Sequence, residues 1–221
     1  LIYDETTATE NTAVAAAMLQ NVTANAEVKL KVESIIVDKT VGEGQTTASV
    51  GDVIEYEVSS KVPNVVGYDE FFFEVTDKLS KGLTFNNDVE VTIGGVVYEH
   101  YTVTYNTDAT TGVTTLVIKF NETEFAKLND KMGQALEITY SATLNSNAAT
   151  EKENSNEVVI EYSNDPETDE HGKTNTDIVY VYTYGFDFTK KNSAGEVLPG
   201  AEFVLKLSDG SYATFNENGV Y

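Results

Sequence analysis

The sequence predicts an all-β fold: an immunoglobulin-like antiparallel β-sandwich with one short helix, followed by the beginning of a second β-sandwich. Apolar and polar residues alternate through most of the chain, with the period of two that marks a strand with one buried face. Turn signals rich in glycine, asparagine and aspartate separate these runs. The 221 residues are 41% hydrophobic and 10% aromatic. That content is sufficient for a core and excludes a disordered acidic polymer.

The alternation predicts the following strands. Ile54, Tyr56 and Val58 alternate with polar residues, and the same pattern extends over 136–144. Further strands are expected at 71–77, 89–93, 96–105, 113–120, 156–162 and 178–184. One helix is predicted at 122–130, because Asn121 is a favourable N-cap and Phe125 lies on the same helical face as residue 128.

Three parts of the chain differ in pattern. Residues 1–27 are either a leading segment with a short alanine-rich helix or the end of a preceding domain. Residues 28–184 carry the main sandwich, including a polar acidic loop at 163–176. Residues 185–221 begin a second sandwich but are too few to complete it. Leu1 is not an initiator methionine, and we expect the protein to continue beyond Tyr221.

Charge and composition exclude several classes of function. The chain has 36 acidic and 14 basic residues, a formal charge of −22, which argues against nucleic acid and membrane surfaces as partners. No apolar stretch reaches the ~18 residues of a membrane span. The absence of cysteine excludes disulfides, thiolate catalysis and cysteine-ligated metals. No cofactor and no metal is expected, and the acidic run at 165–170 is interpreted as a solvated loop rather than a calcium site.

Signals for an enzyme are weak. There is no nucleophile elbow, phosphate-binding glycine loop or HExxH motif, and His100 and His171 lie far apart in the sequence. Carboxylates are so abundant that a glycosidase-like pair has no specificity as a signal. An enzyme acting on carbohydrate is therefore the least favoured interpretation.

Three polar residues are more informative, because they fall in phase with buried faces. Asp77 continues the run of positions 71, 73 and 75, Asn156 begins the run 156–162, and Lys39 follows positions 35 and 37 at the same spacing. Burial lowers the pKa of a lysine and raises that of an acid, so a neutral amine and a protonated carboxyl group can coexist. The amine could then attack the asparagine side chain and release ammonia. A hydrogen-bonded polar cluster, or strand ends that reach solvent, is the alternative, and the pattern alone favours it.

Several segments resemble bacterial surface proteins. Residues 186–192 (FDFTKKN) and 198–205 (LPGAEFVL) resemble the opening of a collagen-adhesin B-type repeat of Gram-positive surface proteins. Residues 74–85 (EVTDKLSKGLTF) resemble the TDxLxxGLxF segment of the isopeptide-forming middle domain of fimbrial shaft proteins. Residues 156–164 resemble the penultimate strand of that domain, and 179–185 its exit into the next module. The resemblance covers about residues 28–221.

This resemblance implies specific roles. It places an autocatalytic cross-link between Lys39 and Asn156, with Asp77 as the catalytic acid, and makes Lys190 the candidate lysine of a second cross-link. It implies a structural module of a pilus or adhesin that is secreted, anchored to the cell wall or displayed in a pilus, without enzymatic turnover. Its partners would be other pilus subunits, joined by a sortase where the protein polymerises.

One departure from the family pattern leaves alternatives open. Residues 28–32 (VKLKV) lack the YPK motif through which shaft pilins are joined. A shaft, basal or tip subunit and a non-polymerising adhesin therefore all remain open. In the last case, loops at 64–69 or 164–176 would recognise a host protein or glycan.

Overall fold

The computed structural model describes residues 35–150, 152–166, 168–185, 189–200 and 202–213. The predicted leading segment and residues 28–32 lie outside this range. The described strands are β1 (Asp38–Val41), β2 (Val53–Lys61), β3 (Phe73–Leu79), β4 (Leu83–Phe85), β5 (Glu90–Ile93), β6 (Val96–Val97), β7 (Tyr101–Thr107), β8 (Thr114–Phe120), β9 (Ala135–Leu144), β10 (Glu153–Ser163), β11 (His171–Lys173) and β12 (Asp177–Tyr182).

Within the described residues, these strands form two six-stranded antiparallel sheets. The first has the order β1-β2-β9-β5-β6, and β4 also pairs with β9. The second has the order β11-β10-β3-β8-β7, and β12 also pairs with β10. The predicted antiparallel β-sandwich is confirmed. Among the described residues, none of the helices has the length and hydrophobicity needed to span a bilayer.

Alternate residues of the strands build the core between the sheets. In β2, Ile54, Tyr56 and Val58 are each only 1% exposed, whereas Glu55 and Glu57 face solvent. The strand period of two therefore turns one face of each sheet inward and leaves the acidic residues outside. This division explains how a chain with so large a negative charge still folds around an apolar interior.

One end of the core is an aromatic cluster of Phe71, Phe73, Phe120 and Phe125. The ring centroids of Phe73 and Phe125 are 4.7 Å apart, those of Phe73 and Phe120 are 5.2 Å apart, and those of Phe71 and Phe125 are 5.7 Å apart. All four side chains are at most 1% exposed. Such ring pairs stabilise a core beyond the burial of their area.

Phe125 is delivered to this cluster by helix α1 (Glu122–Ala126), which is shorter than the predicted 122–130. The predicted cap is confirmed, since the side chain of Asn121 accepts a hydrogen bond of 3.0 Å from the backbone N–H of Glu124. A 3₁₀ turn, Leu128–Lys131, follows the helix. A spacing of three residues between apolar positions 125 and 128 occurs in both α-helices and 3₁₀ helices. The sequence pattern therefore did not reveal that the α-helix gives way to a 3₁₀ turn.

The predicted strand at 96–105 is wrong, because this run is two strands in different sheets. β6 pairs with β5 in the first sheet, and β7 pairs with β8 in the second. The chain crosses between the sheets at residues 98–100. Apolar and polar residues alternate with the same period in both sheets, so the alternation does not reveal that the partner strand changes.

The polar segment 163–176 contains the short strand β11, which was predicted as loop. His171 at its start stacks on Phe72 with 4.0 Å between ring centroids, and its Nδ1 lies 3.1 Å from a carboxylate oxygen of Glu161. His171 therefore belongs to the outer surface of the second sheet, and the structure gives it a structural role there.

The described residues from 189 to 213 have no buried side chain, and their pairing is confined to two isolated bridges, Lys191 with Val197 and Lys206 with Tyr212. Lys190 is exposed, whereas the sequence alternation places it in phase with Phe186 and Phe188, on the apolar face of a strand. The neighbouring residues 186–188, on which that phase was based, lie outside the described range. The domain boundaries given above stay predictions.

Candidate functional site

The structure brings the three in-phase polar residues together in the core. Lys39, Asp77 and Asn156 are 3%, 0% and 0% exposed. Lys39 lies on β1 at the edge of the first sheet, whereas Asp77 and Asn156 lie on adjacent strands of the second sheet. The three side chains therefore meet across the space between the sheets.

The register of β3 and β10 fixes two of the three positions. Asp77 is opposite Val158, and Asn156 is opposite Leu79. Asp77 and Asn156 are thus diagonal neighbours on the same inner face, a spacing at which cross-strand side chains reach one another. On the other sheet, the backbone N–H of Lys39 donates a 2.6 Å hydrogen bond to the side chain of Asp177, which anchors β1 beside β12.

The side chains form a closed set of hydrogen bonds around Tyr140 of β9. Lys39 Nζ lies 2.5 Å from Asp77 Oδ2 and donates a 2.6 Å hydrogen bond to Tyr140 Oη. The Tyr140 hydroxyl donates to Asp77 Oδ2 at 2.8 Å, and Asn156 Nδ2 donates to Tyr140 Oη at 2.7 Å. The amine and the amide nitrogen therefore contact the same phenolic oxygen.

Two aromatic rings complete the surroundings of the lysine. Tyr56 and Tyr140 stack with their centroids 5.5 Å apart, and Lys39 Nζ lies 5.3 Å from the first centroid and 4.9 Å from the second. Ring faces attract a cation weakly, but they replace the water that normally solvates an ammonium group. The site is thus buried away from bulk solvent and walled by aromatic rings.

This environment shifts the pKa values of the charged pair in opposite directions. Burial lowers the pKa of Lys39, and the nearby carboxylates of Asp77 and Asp177 oppose that shift. Burial raises the pKa of Asp77, against the opposing effects of Lys39 and Tyr140. Both shifts favour the uncharged forms, in which the amine carries a free lone pair and the acid carries a proton.

Burial, reinforced by the charge of Asp77, also raises the pKa of Tyr140 well above its ordinary value. Its hydroxyl therefore keeps its proton.

Three buried polar atoms in this pocket lack a hydrogen-bond partner among the described residues: Asp77 Oδ1, Asn156 Oδ1 and Tyr56 Oη. An unpaired buried polar atom costs about 1–3 kcal/mol. Unpaired buried polar atoms are uncommon in folded proteins, and a catalytic role is one explanation for them. A proton on Asp77 Oδ1 would supply the missing donor for a neighbouring oxygen.

Tyr140 was not singled out from the sequence. Its position in the alternating run 136–144 identified it only as a core residue. The available signal was its hydroxyl, since a tyrosine in phase with a buried face needs a polar partner there. The other polar candidates lie elsewhere: His100 and His171 are exposed on the surface, and no potential metal-binding group of three or more ligands occurs in the described part of the chain.

The chain has clear relatives among pilus proteins. A family model described as Gram-positive pilin backbone subunit 2, Cna-B-like domain, matches residues 50–166. A sequence comparison with curated proteins finds no match. Among solved structures, the C-terminal fragment of the major pilin GBS80 of Streptococcus agalactiae is 29% identical, with a TM-score of 0.65. The match covers 84% of this chain and 68% of that one.

Two further structures extend the comparison. The major pilin RrgB of Streptococcus pneumoniae is 28% identical with a TM-score of 0.51, covering 84% of this chain and 33% of that one. The T6 backbone pilin of Streptococcus pyogenes is 22% identical with a TM-score of 0.62, covering 85% of this chain and 45% of that one, a likeness of fold. The chain thus spans less than half of these two longer pilins.

Proposed function

The chain belongs to the family of Gram-positive pilin backbone subunits, and from that premise we propose that it is a structural module of a cell-surface pilus that cross-links itself. The bond is an isopeptide between Lys39 and Asn156, formed once per molecule with Asp77 as the catalytic acid. Its partners are other pilus subunits. No turnover of an external substrate is involved.

One observation carries this proposal: a lysine amine, a carboxyl group and an asparagine amide share a single buried hydrogen-bonded cluster. Lys39 Nζ is 2.5 Å from Asp77, and both Lys39 Nζ and Asn156 Nδ2 lie within 2.7 Å of one phenolic oxygen. Holding the reacting groups together in this way replaces a bimolecular encounter with an intramolecular one. The pKa shifts described above supply the reactive protonation states.

The reaction is a transamidation. The neutral amine of Lys39 attacks Cγ of Asn156, while protonated Asp77 donates a hydrogen bond to the amide oxygen as it becomes negative. The bond from Cγ to Nδ2 then breaks. One secondary amide and one ammonia result.

The cross-link suits a chain that has no cysteine. A secreted sandwich without disulfides needs another covalent restraint, and this one would close a loop of more than one hundred residues. By chain-entropy reasoning, such a loop stabilises the fold by roughly 4 to 5 kcal/mol.

Intact-mass spectrometry of the purified chain tests the proposal directly. We expect a mass one ammonia below that of the sequence, and a protease digest in which the peptides containing Lys39 and Asn156 are joined. Lys39→Ala should restore the full mass. The matched control is Lys78→Ala, which removes a lysine from the outer face of β3, where it pairs with Glu157, and should still lose ammonia. An unmodified wild-type mass, or a link between two other residues, contradicts the assignment.

We also propose the division of the chain at residues 28 and 185. The boundary at 185 is supported by the contrast between the two-sheet core and residues 189–213, none of which is buried among those described, whereas the boundary at 28 rests on the sequence pattern alone. A second cross-link through Lys190 would require this exposed side chain to become enclosed. Mass spectrometry of a longer product of the parent gene tests this second cross-link, since a second ammonia loss should map to Lys190.

A further inference from the structure

We propose that Tyr140 is a second catalytic residue of this condensation, whose hydroxyl relays a proton from Asp77 to the leaving amide nitrogen of Asn156. The inference rests on the proposed cross-link, but it concerns a residue that neither the sequence pattern nor the family resemblance singled out. It is carried by the position of one oxygen atom among the three reacting groups.

The hydrogen bonds of Tyr140 use its whole capacity. A tyrosine hydroxyl has one proton to donate and two lone pairs to accept with. The proton goes to Asp77 Oδ2 at 2.8 Å, and the lone pairs accept from Lys39 Nζ at 2.6 Å and Asn156 Nδ2 at 2.7 Å. The hydroxyl therefore lies between the acid and the nitrogen that must leave.

The leaving nitrogen needs such a donor. An amide nitrogen departs as ammonia only after it gains a proton, and among the described side chains the Tyr140 hydroxyl is the group hydrogen-bonded both to Asn156 Nδ2 and to Asp77. Asp77, in turn, contacts the attacking amine and Tyr140 through the same oxygen, Oδ2. Tyr140 thus provides a path of hydrogen bonds from the carboxyl group to the leaving group.

The protons balance in two stages. In the first stage, Lys39 Nζ bonds to Cγ of Asn156 and gives a proton to Asp77 Oδ2, while the proton on Asp77 Oδ1 passes to the amide oxygen. In the second stage, Asp77 Oδ2 gives its proton to Tyr140 Oη, and Tyr140 gives its own proton to Nδ2. The bond from Cγ to Nδ2 breaks, and the proton on the oxygen returns to Asp77 Oδ1. Asp77 and Tyr140 end as they began, and ammonia leaves.

The directions of the hydrogen bonds reverse during this second stage. In the starting state, Nδ2 donates to Tyr140 and Tyr140 donates to Asp77. Attack on Cγ removes the amide resonance, so the nitrogen becomes basic and accepts a proton instead. A hydroxyl group suits this reversal, because the same oxygen both donates and accepts. The raised pKa of Tyr140 keeps its proton available in the starting state.

Tyr56 offers a matched control. It stacks on Tyr140 and is equally buried, at 1% against 2% exposure. Its hydroxyl, however, makes no close hydrogen bond to the amine or the carboxyl group within the described structure. Burial raises its pKa and the Asn156 side chain beside it opposes that shift, but no hydrogen bond links it to Asp77. Tyr56→Phe and Tyr140→Phe therefore remove the same group from the same pocket, and only the second removes it from the proposed relay.

The experiment follows condensation during cell-free synthesis of the full chain, with a short pulse, denaturing quenches and intact-mass analysis. Tyr140→Phe should lose ammonia about 10²-fold more slowly than wild type, at the lower end of the usual contribution of a positioned acid or base. Tyr56→Phe should stay close to the wild-type rate. Circular dichroism of each product reports folding separately from the reaction.

The outcomes separate the two proposals. If wild type never loses ammonia, the cross-link itself is overturned, and the relay with it. If wild type condenses and Tyr140→Phe does so at the same rate, or if Tyr56→Phe is slowed equally, only the role of Tyr140 is overturned.

A second measurement covers a Tyr140→Phe variant that fails to fold. Site-specific incorporation of a difluorotyrosine at position 140 keeps the hydroxyl and the ring but makes the hydroxyl more acidic. The relay predicts an altered condensation rate at position 140 and an unaltered rate for the same substitution at position 56. An unaltered rate at both positions overturns the relay.

Discussion

The two ends of the same core are built on opposite principles. On β3, Phe73 and Asp77 both point inward, with Val75 between them on the same face. At one end, Phe73 packs within the aromatic cluster and stabilises the fold as soon as it is buried. At the other end, Asp77 faces Lys39, and the burial of these two polar groups costs free energy that the hydrogen bond between them recovers incompletely.

This difference indicates that one end of the core stabilises the fold and that the other end holds the groups of the proposed reaction. The aromatic cluster gives the sandwich the stability to form before any covalent bond exists. Under the proposed reaction, the polar end would then gain its stability from the bond that its own burial makes possible. A fold held only by packing has no need for the buried groups at that end, and the proposed reaction would account for their presence. The predictions below test this division.

The largest effect is expected from Asp77→Ala. This variant should fold on its aromatic end, keep its full mass and leave the buried Lys39 amine without its carboxyl partner. We expect it to lose roughly 4 to 5 kcal/mol through the missing loop closure, and more through the lost hydrogen bond between Lys39 and the carboxyl group. Denaturant unfolding and protease digestion, each with a parallel mass measurement, check this.

The control for Asp77→Ala is Glu74→Ala, on the outer face of the same strand, which should retain the wild-type mass and stability. Loss of ammonia from Asp77→Ala at the wild-type rate would show that another acid catalyses the reaction.

A smaller but comparable loss is expected at the other end from Phe125→Ala. Removing a fully buried ring from the aromatic cluster should cost about 3–5 kcal/mol. The covalent bond should still form, because the polar end of the core is built by other residues. Thermal unfolding gives the stability, and intact mass gives the cross-link. A folded Phe125→Ala chain that keeps its full mass would show that the two ends are not separable.

The condensation rate should also depend on pH, and the protonation of Lys39 should lower it in acid. Only its neutral amine attacks, so the rate should fall as acid protonates it, by about tenfold per pH unit well below its pKa. Burial lowers that pKa from the ordinary 10.5, so the fall should begin at a lower pH than for an exposed lysine. The charged groups that oppose this shift are Asp77 and Asp177, and the side chains of Tyr56 and Tyr140 also face the amine.

Freshly synthesised chain, transferred to buffers of different pH and followed by mass, gives this profile. A rate that keeps rising as the pH falls below the pKa of Lys39 would contradict a neutral lysine nucleophile.

The smallest effect is expected on the solvent side of β10. Hydrogen bonding to Lys173 and His171 lowers the pKa of Glu161. Its contribution to stability is therefore present above the pKa of the unfolded state and disappears as the pH falls through the lower folded value. Because the pair with Lys173 is exposed, Glu161→Gln should cost only about 0.2–1 kcal/mol at neutral pH and less in acid. Urea unfolding at two pH values measures the loss of stability. A loss as large as that of Asp77→Ala would contradict the expectation that the exposed pair contributes far less than the buried site.

Hydrophobic alternation explains which parts of the fold and of the site the sequence predicted. Alternation placed β2, β9 and β10 and turned Lys39, Asp77 and Asn156 inward, because a strand with one buried face leaves a regular trace. It did not reveal that 96–105 changes sheets, since period carries no information about the partner strand. Nor did it assign Tyr140 to the site, because an in-phase tyrosine looks like any other core residue until its hydroxyl is seen among polar groups.

The position of Lys39 on β1 has a mechanical consequence. β1 is the first described strand, and β10 pairs directly with β12, the last strand of the two sheets. In the condensed protein, a pulling force that enters through β1 passes across the Lys39–Asn156 bond into β10, and from there into the neighbouring β12. The strands between β1 and β10 in the sequence would lie outside this path. A fibre of such modules would transmit tension through covalent bonds while its aromatic cores stay folded.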